Sequence, residues 1–351
     1  MSAKTITGWT CPPPMAANDT ILLGHGSGGR LSAELVYDVF LPAFGNRFLE
    51  RLDDQAILPP SGHRLAFTTD SFVVKPLFFP GGDIGSLAVH GTINDLAMGG
   101  AEPLYLSAAF IVEEGFAMAE LRRIVNSMRD AATAAGVQIV TGDTKVVEKG
   151  KGDGIFITTT GIGAVRDGID LSARGARPGD KILLSGSIGD HGIAILAHRE
   201  GLEFDTTIAS DSAALHTLVR QMLNSGGQIR TMRDPTRGGL SSTLNEIAVQ
   251  SQVGIELDET AIPVKEQVRG ACELLGLDPL YVANEGKLVA FVAAADAERV
   301  LAAMRSHPFG REAQMIGTVQ EQDPGLVTMV TVLGTKRVVD MLAGDQLPRI
   351  C

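Results

Sequence analysis

The residues able to do chemistry fall into a scatter of aspartates in the first half of the chain and a single thiol at its end. Cys351 is the last residue, carried by Leu347-Pro348-Arg349-Ile350 past a segment that holds Gly344. A thiol placed there is badly sited for core packing or a disulfide and well sited to be swung to a reaction partner, with Gly344 as the hinge. Cys11 and Cys272 complete an odd, widely spaced set without the rhythm of a zinc site or a disulfide framework. Among the acids, Asp53-Asp54 precedes a predicted strand, Asp70 follows one in Thr68-Thr69-Asp70-Ser71, and Asp143 follows another in Thr141-Gly142-Asp143-Thr144-Lys145. Asn94-Asp95 falls inside a predicted helix, where Gly91 one turn earlier leaves the Asp95 carboxylate room to reach a ligand. Carboxylates of this kind, completed by phosphate oxygens and water, build Mg²⁺ sites, so Asp54, Asp70, Asp95 and Asp143 are the expected metal ligands. A lone aspartate after a strand usually caps or turns; several in one domain, beside the glycine-rich His25-Gly26-Ser27-Gly28-Gly29, point to metal–nucleotide binding. Lys145, two residues past Asp143, is placed to meet a γ-phosphate or a developing oxyanion.

Three further motifs lie in the second half. Arg233-Asp234-Pro235-Thr236-Arg237-Gly238-Gly239 ends a predicted strand and opens a helix, whose free N–H groups with Arg237 beside them suit an anion; Asp234 could equally be a cap. Gly189-Asp190-His191-Gly192 opens another helix, where His191 reads as a capping or packing histidine. Asn284-Glu285-Gly286-Lys287 forms a turn in which Glu285 becomes a general base if the site desolvates it. A rival reading takes Gly24, Gly26 and Gly29 as a dinucleotide fingerprint, with Asp53 and Asp54 near the distance of its ribose acid. The apolar run before Gly24 makes a poor buried strand and nothing parallel follows within the roughly 30 residues of a βαβ unit, so a phosphate-covering loop is preferred.

The elements that must position these residues come in two sets. With 351 residues and 44% hydrophobic content the chain can build two ordinary domains. Residues 1–20, with Pro12-Pro13-Pro14, read as a disordered leader and 21–45 as the glycine-rich phosphate loop and a helix. Residues 46–170 read as an N-terminal α/β domain for metal and nucleotide, with strands near 56–58, 65–69, 104–112, 137–141 and 155–164 and helices over 84–98 and 118–135. Residues 171–335 form a second α/β domain, and 336–351 a mobile tail. The fold class is therefore α/β (α+β): mixed sheets with helices on one side and a flexible C-terminal tail. A net charge of −11 disfavours a nucleic-acid groove or an anionic membrane surface, and no apolar run approaches the roughly 20 residues of a membrane span. With no signal-peptide pattern, a cytoplasmic location is expected.

Together these motifs and the terminal Pro348-Arg349-Ile350-Cys351 resemble the HypE family of hydrogenase maturation factors, carbamoyl dehydratases of the PurM-like (aminoimidazole-ribonucleotide-synthetase-like) ATP-binding superfamily. The resemblance runs from about residue 20 to the end, and the Pro-Arg-Ile-Cys ending is its most specific part. It implies a two-domain PurM-like fold, a homodimer, and ATP with Mg²⁺ as cofactors. It also implies a carbamoyl group received on Cys351 from the carbamoyltransferase HypF, dehydrated to a thiocyanate, and passed to a HypC–HypD complex as a cyanide ligand for hydrogenase iron. Glu285 and Lys145 are then the expected base and electrostatic clamp, and His25 closes with Gly26, Ser27, Gly28 and Gly29 over the triphosphate. Asn94, Asp234 and Arg237 are expected at the nucleotide. The alternative is a PurM-like synthetase or kinase acting on a free small molecule.

Overall fold

The computed structural model describes residues 29–35, 37, 49–53, 56–58, 64–202, 208–344 and 349–351. His25, Gly26, Ser27, Gly28 and Asp54 lie outside the described residues. A short helix α1 (Arg30–Leu35) precedes the first sheet, formed by β1 (Ala56–Leu58), β2 (Arg64–Phe72), β5 (Ala101–Glu113), β6 (Gln138–Val147) and β7 (Ile155–Val165) in the order β1-β2-β7-β5-β6. All its neighbours are antiparallel except β5 and β6, which are joined by the helical crossover a parallel pair requires. A two-stranded ribbon, β3 (Phe78–Phe79) with β4 (Gly82–Asp83), leads into helix α2 (Ile84–Met98). Asp83 caps α2 by accepting from the backbone N–H groups of Gly85 and Ser86, while the Ser86 hydroxyl reaches back to the Asp83 N–H. Helix α3 (Met118–Ala135) ends at Gly136 in the left-handed region.

Helices α2 and α3 cover one face of this sheet, burying Leu106, Ala108, Ile155 and Ile157 against Leu87, Ile93, Ile124 and Met128. The strict buried-and-open alternation of β7 shows why: one side faces the helices and the other does not. Phe67, Tyr105 and Ile111 stand exposed on the uncovered face, and Phe67 and Tyr105 both pair with Ile162 between them, making an apolar row.

The second sheet comprises β8 (Lys181–Leu184), β9 (Ile229–Arg233), β10 (Gly254–Asp258), β11 (Val289–Val292), β12 (Gln314–Gln320), β13 (Val327–Val330) and β14 (Lys336–Val338), in the order β14-β13-β10-β12-β8-β11-β9. It is also mixed, β10 and β13 being parallel. Its helices are α4 (Asp190–Glu200), α5 (His216–Asn224), α6 (Gly239–Ser251), α7 (Glu266–Leu275) and α8 (Ala297–Arg305). The one-sided arrangement holds for the first sheet only. In the second, Ile182, Leu184, Val289 and Phe291 pack toward α6, and Leu183, Ala290 and Val292 toward α5 and α8, because β8 and β11 are continuous apolar runs.

Two boundaries differ from the sequence reading. β2 and β6 run on through Asp70 and Asp143, so both acids sit inside strands instead of following them. Lys336–Val338, placed in the tail, joins the second sheet beside β13, and Val339 is fully buried behind it, so the free segment is shorter than 336–351. Among the described residues no helix is long and apolar enough to cross a membrane.

Candidate active site

The last residues of the chain return to the seam between the two sheets. The Val73 N–H donates to the main-chain oxygen of Cys351 at 3.1 Å and the Lys75 N–H to the Arg349 carbonyl at 3.2 Å, so the tail lies alongside residues 73–75, just past the end of β2. Ile350 is 3% exposed and inserts among Phe72, Val74, Phe79, Ile195 and Ala283, with Cys351 packed beside it. Two side chains of α4 read the tail backbone: Arg199 Nη2 donates to the Arg349 carbonyl at 2.7 Å and His191 Nε2 meets the Ile350 carbonyl at 2.8 Å. The Arg349 side chain pairs with Asp153, which also holds Lys75. Upstream, the Arg30 N–H donates to the Leu342 carbonyl at 3.0 Å, and a Cβ at Gly29 would stand 2.2 Å from that carbonyl oxygen. Gly29 thus fastens the end of the glycine-rich run to the base of the tail.

The Cys351 thiol lies close to the Glu285 carboxyl, and burial raises its pKa, opposed by Arg237 and reinforced by Glu285 and Asp70. Glu285 is 2% exposed, and its Oε1 has no hydrogen-bond partner among the described residues. Burial pushes its pKa well above the ordinary carboxylate range, with Asp234, Asp70 and Asp211 adding to the rise and Arg237 opposing it. Burial also raises Asp70 against the pull of Arg237, and raises Asp234 to about 6 against that of Arg233. Desolvation thus raises the proton affinity of three acids at the site, which brings carboxylates toward proton transfer near neutral pH.

The Glu285 turn is held by its backbone. Its N–H donates to Asp211 Oδ1 at 3.0 Å, and its carbonyl accepts from Asn94 Nδ2 at 3.1 Å. A Cβ on Gly286 would lie 1.7 Å from the Asp211 carbonyl oxygen. We predict that Gly286→Ala costs about 1–3 kcal/mol of stability, the range for overpacking a core, and removes activity with it; urea denaturation reads the first and product formation the second.

The sequence motifs divide on this geometry. Asp70, Arg237 and Glu285 converge on Cys351, and Asp234 stands near Glu285. Asp143 and Lys145 do not within one chain. The register row Asp70–Thr159–Ala108–Gly142 faces the helices, whereas Ser71–Thr158–Ala109–Asp143 faces away, so Asp143 is on the opposite face and about 14 Å across three strand spacings. It is exposed and paired with Lys145 at 2.8 Å, which lowers its pKa. The expectation that Lys145 stands beside Glu285 and Cys351 is thus corrected for a single chain; Arg237 is the cation facing the thiol. Asp95 Oδ2 accepts from Thr68 Oγ1 at 2.8 Å. Gly91 makes room for the Phe72 ring, 2.9 Å from where its Cβ would be, more than for Asp95. Asn94 spends its amide on the Ala213 and Glu285 carbonyls and the Leu215 N–H, and so positions the Glu285 turn. Asp234 does not cap α6, whose N-cap is Gly238 without a side-chain bond.

Among the described residues no group of three or more His, Cys, Asp or Glu side chains is arranged to hold a metal ion. Asp70, Asp95 and Asp143 therefore do not form a ready-made cage among the described residues. What the sequence missed are His191 as a tail contact and Asp211 behind Glu285; the Gly189–Gly192 motif signalled the first, and nothing in Ser210-Asp211-Ser212 signalled the second.

Comparison with known proteins agrees with this architecture. The family models of AIR synthase related protein match residues 52–165 with the N-terminal domain and 177–329 with the C-terminal domain. The chain is 65% identical over 330 residues to the carbamoyl dehydratase HypE of Cupriavidus necator, covering 94% of each. It superposes with a TM-score of 0.84 on a HypE–HypF complex structure, at 52% identity over 88% of this chain and 99% of that one. A HypE solved in complex with ATP matches at TM-score 0.80 and 53% identity over 95% of this chain and 100% of that one. With such identity over nearly the whole length of both chains, the protein belongs to the HypE family of carbamoyl dehydratases, within the AIR synthase related proteins.

Proposed function

We propose that the protein serves [NiFe]-hydrogenase maturation by ATP-dependent dehydration of an S-carbamoyl group on its own Cys351, yielding a thiocyanate. The observation that carries this reading is the seating of the Cys351 thiol against the desolvated Glu285 carboxyl. A carbamoyl group on Sγ would stand beside that carboxyl. The carbamoyl oxygen takes the γ-phosphoryl group of ATP as ADP leaves, Glu285 accepts one N–H proton, and the C–O bond breaks as the C≡N bond forms, the second N–H proton departing with the phosphate. Arg237 faces the charge that grows on oxygen. Asp70 and Asp95, on the helix-covered side of the first sheet, would hold Mg²⁺ together with phosphate and water oxygens, and the ion would supply charge neutralisation of the phosphates.

Loading calls for a second tail position. Burial leaves the seated thiol protonated and a poor nucleophile, so carbamoylation takes place with the tail outward, on a carbamoyltransferase of the HypF kind, and the cyano group leaves for a HypC–HypD acceptor, all in the cytoplasm. The apolar row of exposed Phe67 and Tyr105 with half-buried Ile162 between them supports a homodimer through the uncovered sheet face; Asp143 and Lys145 lie on that face and would act toward the partner copy's nucleotide. The reading is tested by carbamoylating the full chain with carbamoyl phosphate and the carbamoyltransferase, adding Mg-ATP, and following Cys351 by intact mass. We expect the loss of one water; a carbamoyl adduct that persists with ATP would sink it, and turnover of a free small molecule by Cys351→Ala would favour a synthetase or kinase.

A further inference from the structure

The segment joining α4 to α5 touches both halves of the reacting pair. His191 is completely buried, and Phe79 stands edge-on to its ring at 5.7 Å. Its Nε2 faces the Ile350 carbonyl, which can only accept, so Nε2 carries the hydrogen. Burial keeps the ring neutral, and Nδ1 therefore accepts from the Ser210 hydroxyl at 2.8 Å. Ser210 Oγ in turn accepts the Ser212 N–H at 3.1 Å. Between these serines, Asp211 Oδ1 takes the Glu285 N–H, and its other oxygen pairs with Lys287 Nζ at 3.0 Å. The same segment is pinned to the first domain, where Ser210 N–H donates to the Pro80 carbonyl at 2.8 Å and Ser212 Oγ lies 3.0 Å from His90 Nδ1.

We propose that His191 and Asp211 are positioning residues of the dehydration: through Ser210-Asp211-Ser212, one fixes the carbonyl preceding Cys351 and the other the peptide of Glu285, setting the distance between the sulfur and the carboxyl. The peptide plane held by His191 ends at the Cα of Cys351 and so aims its Cβ–Sγ bond. The peptide held by Asp211 on one side and Asn94 on the other aims the Glu285 side chain. Neither group touches the reacting atoms. A carboxyl displaced by about 1 Å from its proton loses on the order of 100-fold in rate, so both contacts act on the chemical step. This inference rests on the dehydratase reading above.

The test uses the full-length protein carbamoylated on Cys351, a single turnover with Mg-ATP read as water loss by intact mass, and ATP affinity by titration. His191→Ala and Asp211→Ala should slow the step roughly 10- to 100-fold with ATP affinity unchanged. His191→Gln keeps a donor for Ile350, and Asp211→Asn an acceptor for Glu285, and both should recover most of the rate. Asp211→Ala leaves Lys287 without its counter-charge, so Asp211→Ala/Lys287→Met restores the charge balance and should remain slow. Alanine variants that keep the wild-type rate, conservative variants as slow as alanine, or a loss confined to ATP affinity would each overturn the inference. If the wild type itself loses no water, the dehydratase reading falls and takes this one with it.

Discussion

Replacing Glu285 with Gln is expected to abolish water loss from carbamoylated Cys351, by at least about 10³-fold, while leaving loading and ATP affinity intact. General-base contributions of roughly 10²–10⁴ are usual, and this carboxyl stands beside the sulfur that bears the substrate. Glutamine keeps the volume and the backbone bonds to Asp211 and Asn94 but cannot accept the proton. The same substitution should stabilise the fold at neutral pH. Glu285 has its folded pKa raised by burial, so its contribution to stability is fully present below the unfolded value of about 4.3 and is lost as pH rises through the folded one. The variant lacks that loss. Its melting temperature should therefore match the wild type near pH 4 and exceed it increasingly toward pH 8; a gap that narrowed over this range would contradict the assigned burial. A residue that costs stability where it works is the mark of a functional site.

Much of this architecture was legible because periodicity reports burial. Helix α2 and helix α3 emerge from the sequence with the bounds they have in the structure, since Asp83 caps one and Gly136 ends the other. Strand ends were less visible. The predicted strand over 65–69 stops short of the polar Asp70 and Ser71, yet Thr69 and Ser71 pair with Thr160 and Thr158 through hydroxyl bonds of 2.9 and 2.8 Å on the uncovered face, so the strand continues. The motifs of the site were likewise found as residues but not as a constellation. Asp143 and Lys145 looked like neighbours of Asp70 because all three lie in similar motifs; strand register places them on opposite faces, and register is a long-range property that spacing does not encode. Glu285 was recognised only conditionally, because its desolvation comes from the Asp211 segment, the Asn94 helix and the tail, three remote pieces of chain.

Substituting Ile350 with Asp should cut dehydration at least about 100-fold and leave carbamoylation by the partner enzyme unaffected. The reason lies in how the tail is held. Two of its backbone hydrogen bonds, from Val73 and Lys75, are indifferent to sequence, and each contributes about 0.5–1.5 kcal/mol net. Ile350 supplies selectivity, since full burial of such a side chain is worth roughly 1.5–3 kcal/mol. An aspartate there exchanges that gain for the cost of burying a charge among Phe72, Phe79 and Ala283, and each 1.4 kcal/mol lost lowers the seated fraction about tenfold. Loading needs the tail outward and feels none of this, so the variant separates the two positions: carbamoyl groups accumulate on Cys351 and are not dehydrated. Limited proteolysis supplies an independent readout, because a displaced tail exposes Arg349, whose carbonyl is bonded to Arg199 and Lys75 in the seated state. Cleavage after Arg349 should be fast in the variant and slow in the wild type. Equal cleavage in both, with dehydration retained, would mean that the seated tail is not the reactive state.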